Sequence, residues 1–153
     1  MVEQPRKKLR LKDYDYSQEG AYFLTICVQN RLPLFADKNV STIIDKWIQK
    51  IPDKYPEILL DYYVVMKDHV HIILIFNKGN REKLQEIMKW FKTMTTNEYI
   101  RGVKDGIYIP YEKKLWQRSY YDHIIRNDED LNEKRQYIID NPLKKLAKEH
   151  PDM

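Results

Sequence analysis

The chain has one cysteine in 153 residues, no repeat of solenoid period, no low-complexity tract, and no apolar run near the roughly 20 residues of a membrane helix. A lone Cys27 in an apolar run excludes a disulfide framework or a cysteine-built zinc site within one chain, and it fits a reducing, cytoplasmic setting. Met1–Lys8 lead into no signal-peptide core, so the expectation is a protein that is neither exported nor membrane-bound. Charge of one sign is also scarce. The 27 Lys and Arg against 23 Asp and Glu leave a formal net charge of +4, which favours a polyanionic partner only weakly. The excess is clustered, at Arg6, Lys7, Lys8, Arg10 and Lys12 and again at Lys144, Lys145 and Lys148. No amphipathic basic helix with a bulky apolar face accompanies these runs, so nucleic acid is preferred to a membrane surface.

What is present is the material of one domain over residues 1–153, with 1–20 as a basic, Tyr-containing lead-in. The run Ala21–Gln29, opened by Gly20 and followed by Asn-Arg-Leu-Pro, has the β-branched and aromatic content of a buried strand. Ile43, Ile44, Trp47, Ile48 and Ile51 keep helical spacing, with Ser41 as the N-cap and Pro52 beyond the end. Ile58–Met66 and His69–Phe76 are separated only by Lys67-Asp68, which demands an antiparallel hairpin. The second of these runs is apolar on both faces beyond His71, as a covered central strand would be.

A second helix follows Asn80, with Leu84, Ile87, Met88 and Phe91 on one face, and ends near Arg101-Gly102. Residues 116–125 read as a fourth strand. Asn127 then caps a last helix, opened by Asp128-Glu129-Asp130, that stops near Pro142. The order βαββαβ plus a C-terminal helix matches an α+β, ferredoxin-like fold: an antiparallel four-stranded sheet with two crossover helices on one face. The extra helix is left to cover the other.

His69 and His71 stand at i and i+2 on a strand, so the pleat points both imidazoles to one face and Val70 to the other. An isolated His-x-His is more often structural, one ring capping the hairpin beside Asp68 and the other packing on the sheet. Tyr137 and Asn141 lie four residues apart on the last helix, one above the other. With that helix across the histidine face, Asn141 would supply a third, oxygen ligand and Tyr137 would aim its own oxygen at whatever the metal holds. Two nitrogens and an oxygen, completed by water, suit Mn²⁺ or Mg²⁺. Such an ion can polarise a phosphate oxygen, and tyrosine, with a pKa near about 10, needs help to lose its proton before attacking.

Taken together, His69-Val70-His71 and Tyr137-Ile138-Ile139-Asp140-Asn141-Pro142 resemble the single-tyrosine HUH transposases of the IS200-like family, in the branch associated with repetitive extragenic palindromes. The lead-in Arg10–Ser17, the strand Tyr22–Cys27 with Asn30-Arg31 after it, and Trp116-Gln117 followed by Asp122–Arg126 are similar to that branch too. The resemblance covers about Arg10 to Leu146. It implies a ferredoxin-like domain that binds single-stranded DNA near a hairpin and uses one divalent ion, Mg²⁺ or Mn²⁺. Tyr137 would attack the scissile phosphate, leaving a 5′-phosphotyrosine and a free 3′-hydroxyl, with His69, His71 and Asn141 as metal ligands. His123 and Arg126 match positions near the active face, His123 as a structural or phosphate-facing group and Arg126 as a partner of Asp122 or of DNA. The segment Asn97–Lys114 is longer than in many members, which implies an altered target with the chemistry kept.

For DNA contact the candidates are Arg6, Lys7, Lys8 and Arg10, then Tyr14 and Tyr16, since cations interleaved with aromatics can hold phosphates and stack unpaired bases. The expected partner is single-stranded DNA with palindromic elements, met by a monomer or homodimer at the nucleoid. The rival to a strand transferase is a domesticated DNA-hairpin-binding protein without catalysis, and a third reading is a ferredoxin-like RNA-binding module. Intact Tyr137, His69, His71 and Asn141 favour the first.

Overall fold

A computed structural model describes residues 14–108, 110 and 114–149, with the backbone alone for 143–149. The elements are β1 (Gly20–Cys27), α1 (Lys38–Gln49), the short α2 (Ile51–Lys54), β2 (Ile58–Val65), β3 (His69–Phe76), α3 (Leu84–Lys104), β4 (Tyr121–Ile125) and α4 (Asp128–Glu149). The four strands form one sheet in the order β2-β3-β1-β4, every neighbouring pair antiparallel. This is the ferredoxin-like arrangement expected from the order of elements.

Alternation along the central strands divides the core into two layers. Tyr22, Leu24 and Ile26 of β1, with Val70, Ile72, Leu74 and Phe76 of β3, pack against Ile44 and Ile48 of α1 and Ile87, Met88 and Phe91 of α3. Phe23 and Ile73 point the other way and meet Ile125 and Ile138, with Leu131 packed alongside. Burying Ile138 to 3% exposure contributes about 2 kcal/mol to holding α4 on that face. The last helix therefore covers the sheet face opposite the crossover helices.

Several boundaries depart from the sequence reading. Helix α1 starts one turn earlier, because the Asp37 carboxylate accepts from Asn39 N–H at 2.9 Å and outcompetes Ser41, whose hydroxyl turns to the Lys38 carbonyl at 3.0 Å. Pro52 does lie beyond the end of α1, but Ile51 belongs to α2, whose first turn Pro52 occupies because a missing N–H there leaves nothing unpaired. The fourth strand is only Tyr121–Ile125, while Trp116 makes an isolated bridge with Val28 and buries its ring between Phe35 and Phe91. Helix α4 continues through Pro142 to Glu149: proline forfeits one hydrogen bond to the preceding turn, and the helix resumes beyond it. Among the described residues no helix is long and apolar enough to cross a membrane.

Candidate active site

The register sets His71 opposite Thr25 of β1 and Val64 of β2, and His69 opposite Cys27. Both imidazoles share the α4 face with Phe23. Their ring centroids are 4.7 Å apart, the Tyr137 ring lies 5.2 Å from His71, and Phe23 sits 5.2 Å from His71 and 5.9 Å from Tyr137. The predicted helix thus does cross the histidine face, and it brings Tyr137 to His71. Tyr137 is 39% exposed, so a substrate can reach it.

His71 is 5% exposed, and burial, reinforced by the neighbouring His69, pushes its imidazole down to about 3. The ring is therefore neutral near pH 7, the form that can donate a lone pair. Its Nδ1 lies 2.9 Å from Thr25 Oγ1, and its Nε2 is buried with no hydrogen-bond partner. A buried orphan nitrogen of this kind costs about 1–3 kcal/mol. It fits a ligand, and a metal ion in particular. His69 turns its Nδ1 to Asp68 Oδ1 at 2.6 Å, and Arg31 Nε donates to Asp68 Oδ2 at 3.2 Å. Burial alone would raise the Asp68 carboxyl, yet the hydrogen bonds from His69 and Arg31 bring it below its ordinary value.

Two anchors hold the helix that carries Tyr137. At its start, Asn127 accepts from the Asp130 N–H at 2.8 Å, as the expected cap, and the Asp130 carboxylate meets His123 Nε2 at 2.7 Å and Lys134 Nζ at 3.0 Å. One and two turns further, Arg135 grips Asp61 of β2 and Ile138 enters the core. Asn141 donates from Nδ2 to the Tyr137 carbonyl at 2.9 Å, which commits its nitrogen to the helix and leaves Oδ1 as the end that can ligate. Among the described residues no group of three His, Cys, Asp or Glu side chains gathers to hold a metal.

The remaining candidates are dispersed. His123, opposite Phe23 in the register, has its Nε2 2.7 Å from Asp130 Oδ2. Arg126 is exposed, its backbone N–H directed to Asp130 Oδ2 at 3.4 Å. Tyr16 is only 4% exposed and, with the half-buried Tyr14, packs on Tyr22 in the helix-side core, so neither ring stands on the Tyr137 face and Tyr16 has no surface for a base to stack on. Arg6, Lys7, Lys8 and Arg10 lie outside the described residues. Beside Tyr137's helix, a groove of about 790 Å³ is lined by Lys38, Thr42 and Asp45 of α1, Tyr63 of β2, Lys67 of the link to β3, and Pro142. Thr25, Asp61 and Arg135 carry no local signal of these roles in the sequence; Asp68 carries one, its place beside His69.

The fold and site together define an α+β domain that presents paired imidazoles and a phenol on one face of a ferredoxin-like sheet. The chain belongs to the Transposase IS200-like family, whose profile matches residues 17–141. It is 26% identical over 132 residues to the REP-associated tyrosine transposase of Escherichia coli K12, covering 84% of this chain and 70% of that one. A Haemophilus influenzae protein without a functional name is 28% identical over 159 residues, covering 90% of this chain and 88% of its own length. The fold is similar to that of a REP-associated tyrosine transposase solved bound to a REP hairpin, with a TM-score of 0.66 and 24% identity over 94% of this chain and 74% of that one. The protein is accordingly an enzyme of the transposase class.

Proposed function

We propose that this chain is a single-strand DNA endonuclease and strand transferase that acts at hairpins through a 5′-phosphotyrosine intermediate. Tyr137 is the nucleophile, and His69, His71 and Asn141 hold one divalent ion, Mg²⁺ or Mn²⁺. The observation that supports this reading best is the apposition of the Tyr137 and His71 rings, 5.2 Å apart, above a buried His71 Nε2 that has no partner. The E. coli relative's name and the hairpin-bound structural neighbour support the substrate. When bound, the ion would draw charge from a phosphate oxygen and orient the phosphorus.

The chain's own residues do the rest. Tyr137 Oη forms a bond to phosphorus as the bond to the 3′-oxygen breaks; the phenolic proton is given up and the departing oxygen takes one, so cleavage ends in a phosphotyrosine and a free 3′-hydroxyl. A second strand's 3′-hydroxyl reverses the exchange and joins the strands. A groove bounded by Pro142 of α4, with Lys38, Lys67 and Asp45 on its walls, offers room for a strand beside the helix that carries Tyr137. Residues 1–153 act as one domain, at work in the cytoplasm on nucleoid DNA as a monomer or homodimer.

Covalent capture tests it. Labelled single-stranded hairpin oligonucleotides from a target library are incubated with the protein and Mn²⁺ or Mg²⁺, then run on a denaturing gel beside Tyr137→Phe. The expected result is a metal-dependent adduct that the variant lacks. Tight, metal-independent hairpin binding with no adduct would point instead to a DNA-binding protein without catalysis.

A further inference from the structure

The link from β2 to β3 is more firmly built than a hairpin turn requires. The Asp68 carbonyl accepts from Val28 N–H at 2.9 Å, and the Lys67 carbonyl accepts from Phe35 N–H at 2.9 Å, so the backbone of the link is stitched to the exit of β1. That exit is itself unusual. Asn30 and Arg31, neither of them glycine, both adopt left-handed backbone conformations, with φ of 58° and 54°. Two such residues in succession store strain on the order of 1–3 kcal/mol each, and strain persists where the surroundings over-determine it. Its result is to aim the Arg31 guanidinium at Asp68, where Nε meets Oδ2 at 3.2 Å.

The Asp68 carboxylate then has its second oxygen 2.6 Å from His69 Nδ1. A carboxylate can only accept, so Nδ1 must carry a proton, and in the neutral form of the ring the lone pair then sits on Nε2. Arg31 Nη2 also lies 3.4 Å from the same Nδ1, but a guanidinium can only donate and the contact is much the longer, so the carboxylate decides the tautomer.

We propose that Asp68 is a positioning residue which, braced by Arg31, fixes His69 as its Nδ1–H tautomer and presents Nε2 to the divalent ion. The inference rests on the proposed role of His69 as a metal ligand. Carboxylate–histidine pairs of this kind orient the ring and raise the basicity of the ligating nitrogen, and their loss weakens metal binding about 10–100-fold. Arg31 acts at one remove, by holding the carboxylate in place, and its loss has the smaller effect.

The test uses the full chain with labelled histidine. Long-range proton–nitrogen spectra of the metal-free protein at neutral pH should report His69 protonated on Nδ1, and Asp68→Asn, whose amide can also donate, should mix or reverse the tautomer. Mn²⁺ titration followed by electron paramagnetic resonance should show affinity weakened about 10–100-fold in Asp68→Asn and less in Arg31→Gln, a variant that leaves the link's backbone contacts untouched and serves if Asp68→Asn fails to fold. An unchanged tautomer together with Mn²⁺ affinity within about twofold of the parent in both variants would overturn the inference while leaving His69 a ligand. His69→Ala and His71→Ala separate the other failure: if neither weakens Mn²⁺ binding, the metal site itself is wrong and the positioning role falls with it.

Discussion

Arg135, two residues before Tyr137, donates from Nε and Nη2 to the two carboxylate oxygens of Asp61 on β2, at 2.8 and 2.7 Å. Its guanidinium also covers the Tyr62 ring at 5.3 Å. A two-pronged contact fixes orientation as well as distance, which a point charge would not. Together with His123–Asp130 at the other end, it holds the helix that carries Tyr137 at two places on the sheet. Asp61→Ala should cost about 1–2 kcal/mol, less than a fully buried pair because the Arg135 side chain is 31% exposed. The melting temperature should fall by roughly 3–6 °C. Hydrogen exchange over residues 131–141 should quicken while the central strands keep their protection; unaltered exchange in that helix would show that Arg135 does not anchor it.

Acid should destabilise the fold through His71. Its pKa is pushed down to about 3 by burial and by His69, against about 6.5 for an unfolded histidine. Below pH 6.5 the unfolded chain takes up a proton that the folded chain refuses until near pH 3, so stability falls as pH falls across that window. Between pH 6.5 and 4.5 the expected loss is up to about 3 kcal/mol. His71→Gln removes the titrating group and should flatten the dependence. Urea melts of both proteins at the two pH values, in chelator, check this, and parallel losses would clear His71 as the cause.

The layers of this fold were legible because they rest on periodicity. Alternation in His69–Phe76 divides Val70, Ile72 and Leu74 from His69, His71 and Ile73, and the contacts divide the same way. Tyr137 could be placed near His71 because one helix of known phase had one uncovered sheet face to occupy. What pattern could not reveal was pairing at long range: Asp61 and Arg135 stand 74 positions apart, and nothing in either segment announces the other. Tyr14 and Tyr16 show the converse, since a tyrosine in a basic stretch reads as a stacking surface and only the fold sets both rings against Tyr22.

The connection into β4 depends on a buried hydroxyl. Thr95, fully buried on α3, accepts from Trp116 Nε1 at 2.9 Å and donates to the Phe91 carbonyl at 2.8 Å. Thr95→Val keeps the shape but leaves the indole N–H unpaired, at a cost of about 1–3 kcal/mol. Adding Trp116→Phe removes the stranded donor, so the double variant should lose less than the sum of the two single losses. Strict additivity in denaturant unfolding would mean that the two side chains do not depend on each other.

Asn141 offers the sharpest separation of chemistry from stability. Its amide nitrogen is spent on the Tyr137 carbonyl at 2.9 Å, so the oxygen is the end left to ligate the ion proposed for His69 and His71. Alanine removes that oxygen while improving helix propensity, and Asn141 is only half-buried, so Asn141→Ala should move the melting temperature by no more than about 2 °C. Mn²⁺ affinity should nevertheless weaken by at least the roughly 10–100-fold seen when even an outer partner of a metal site is lost. Titration of the variant beside the parent decides the point. Equal affinity would leave the two imidazoles to hold the ion with water alone, and the amide would then serve the helix turn beneath Tyr137.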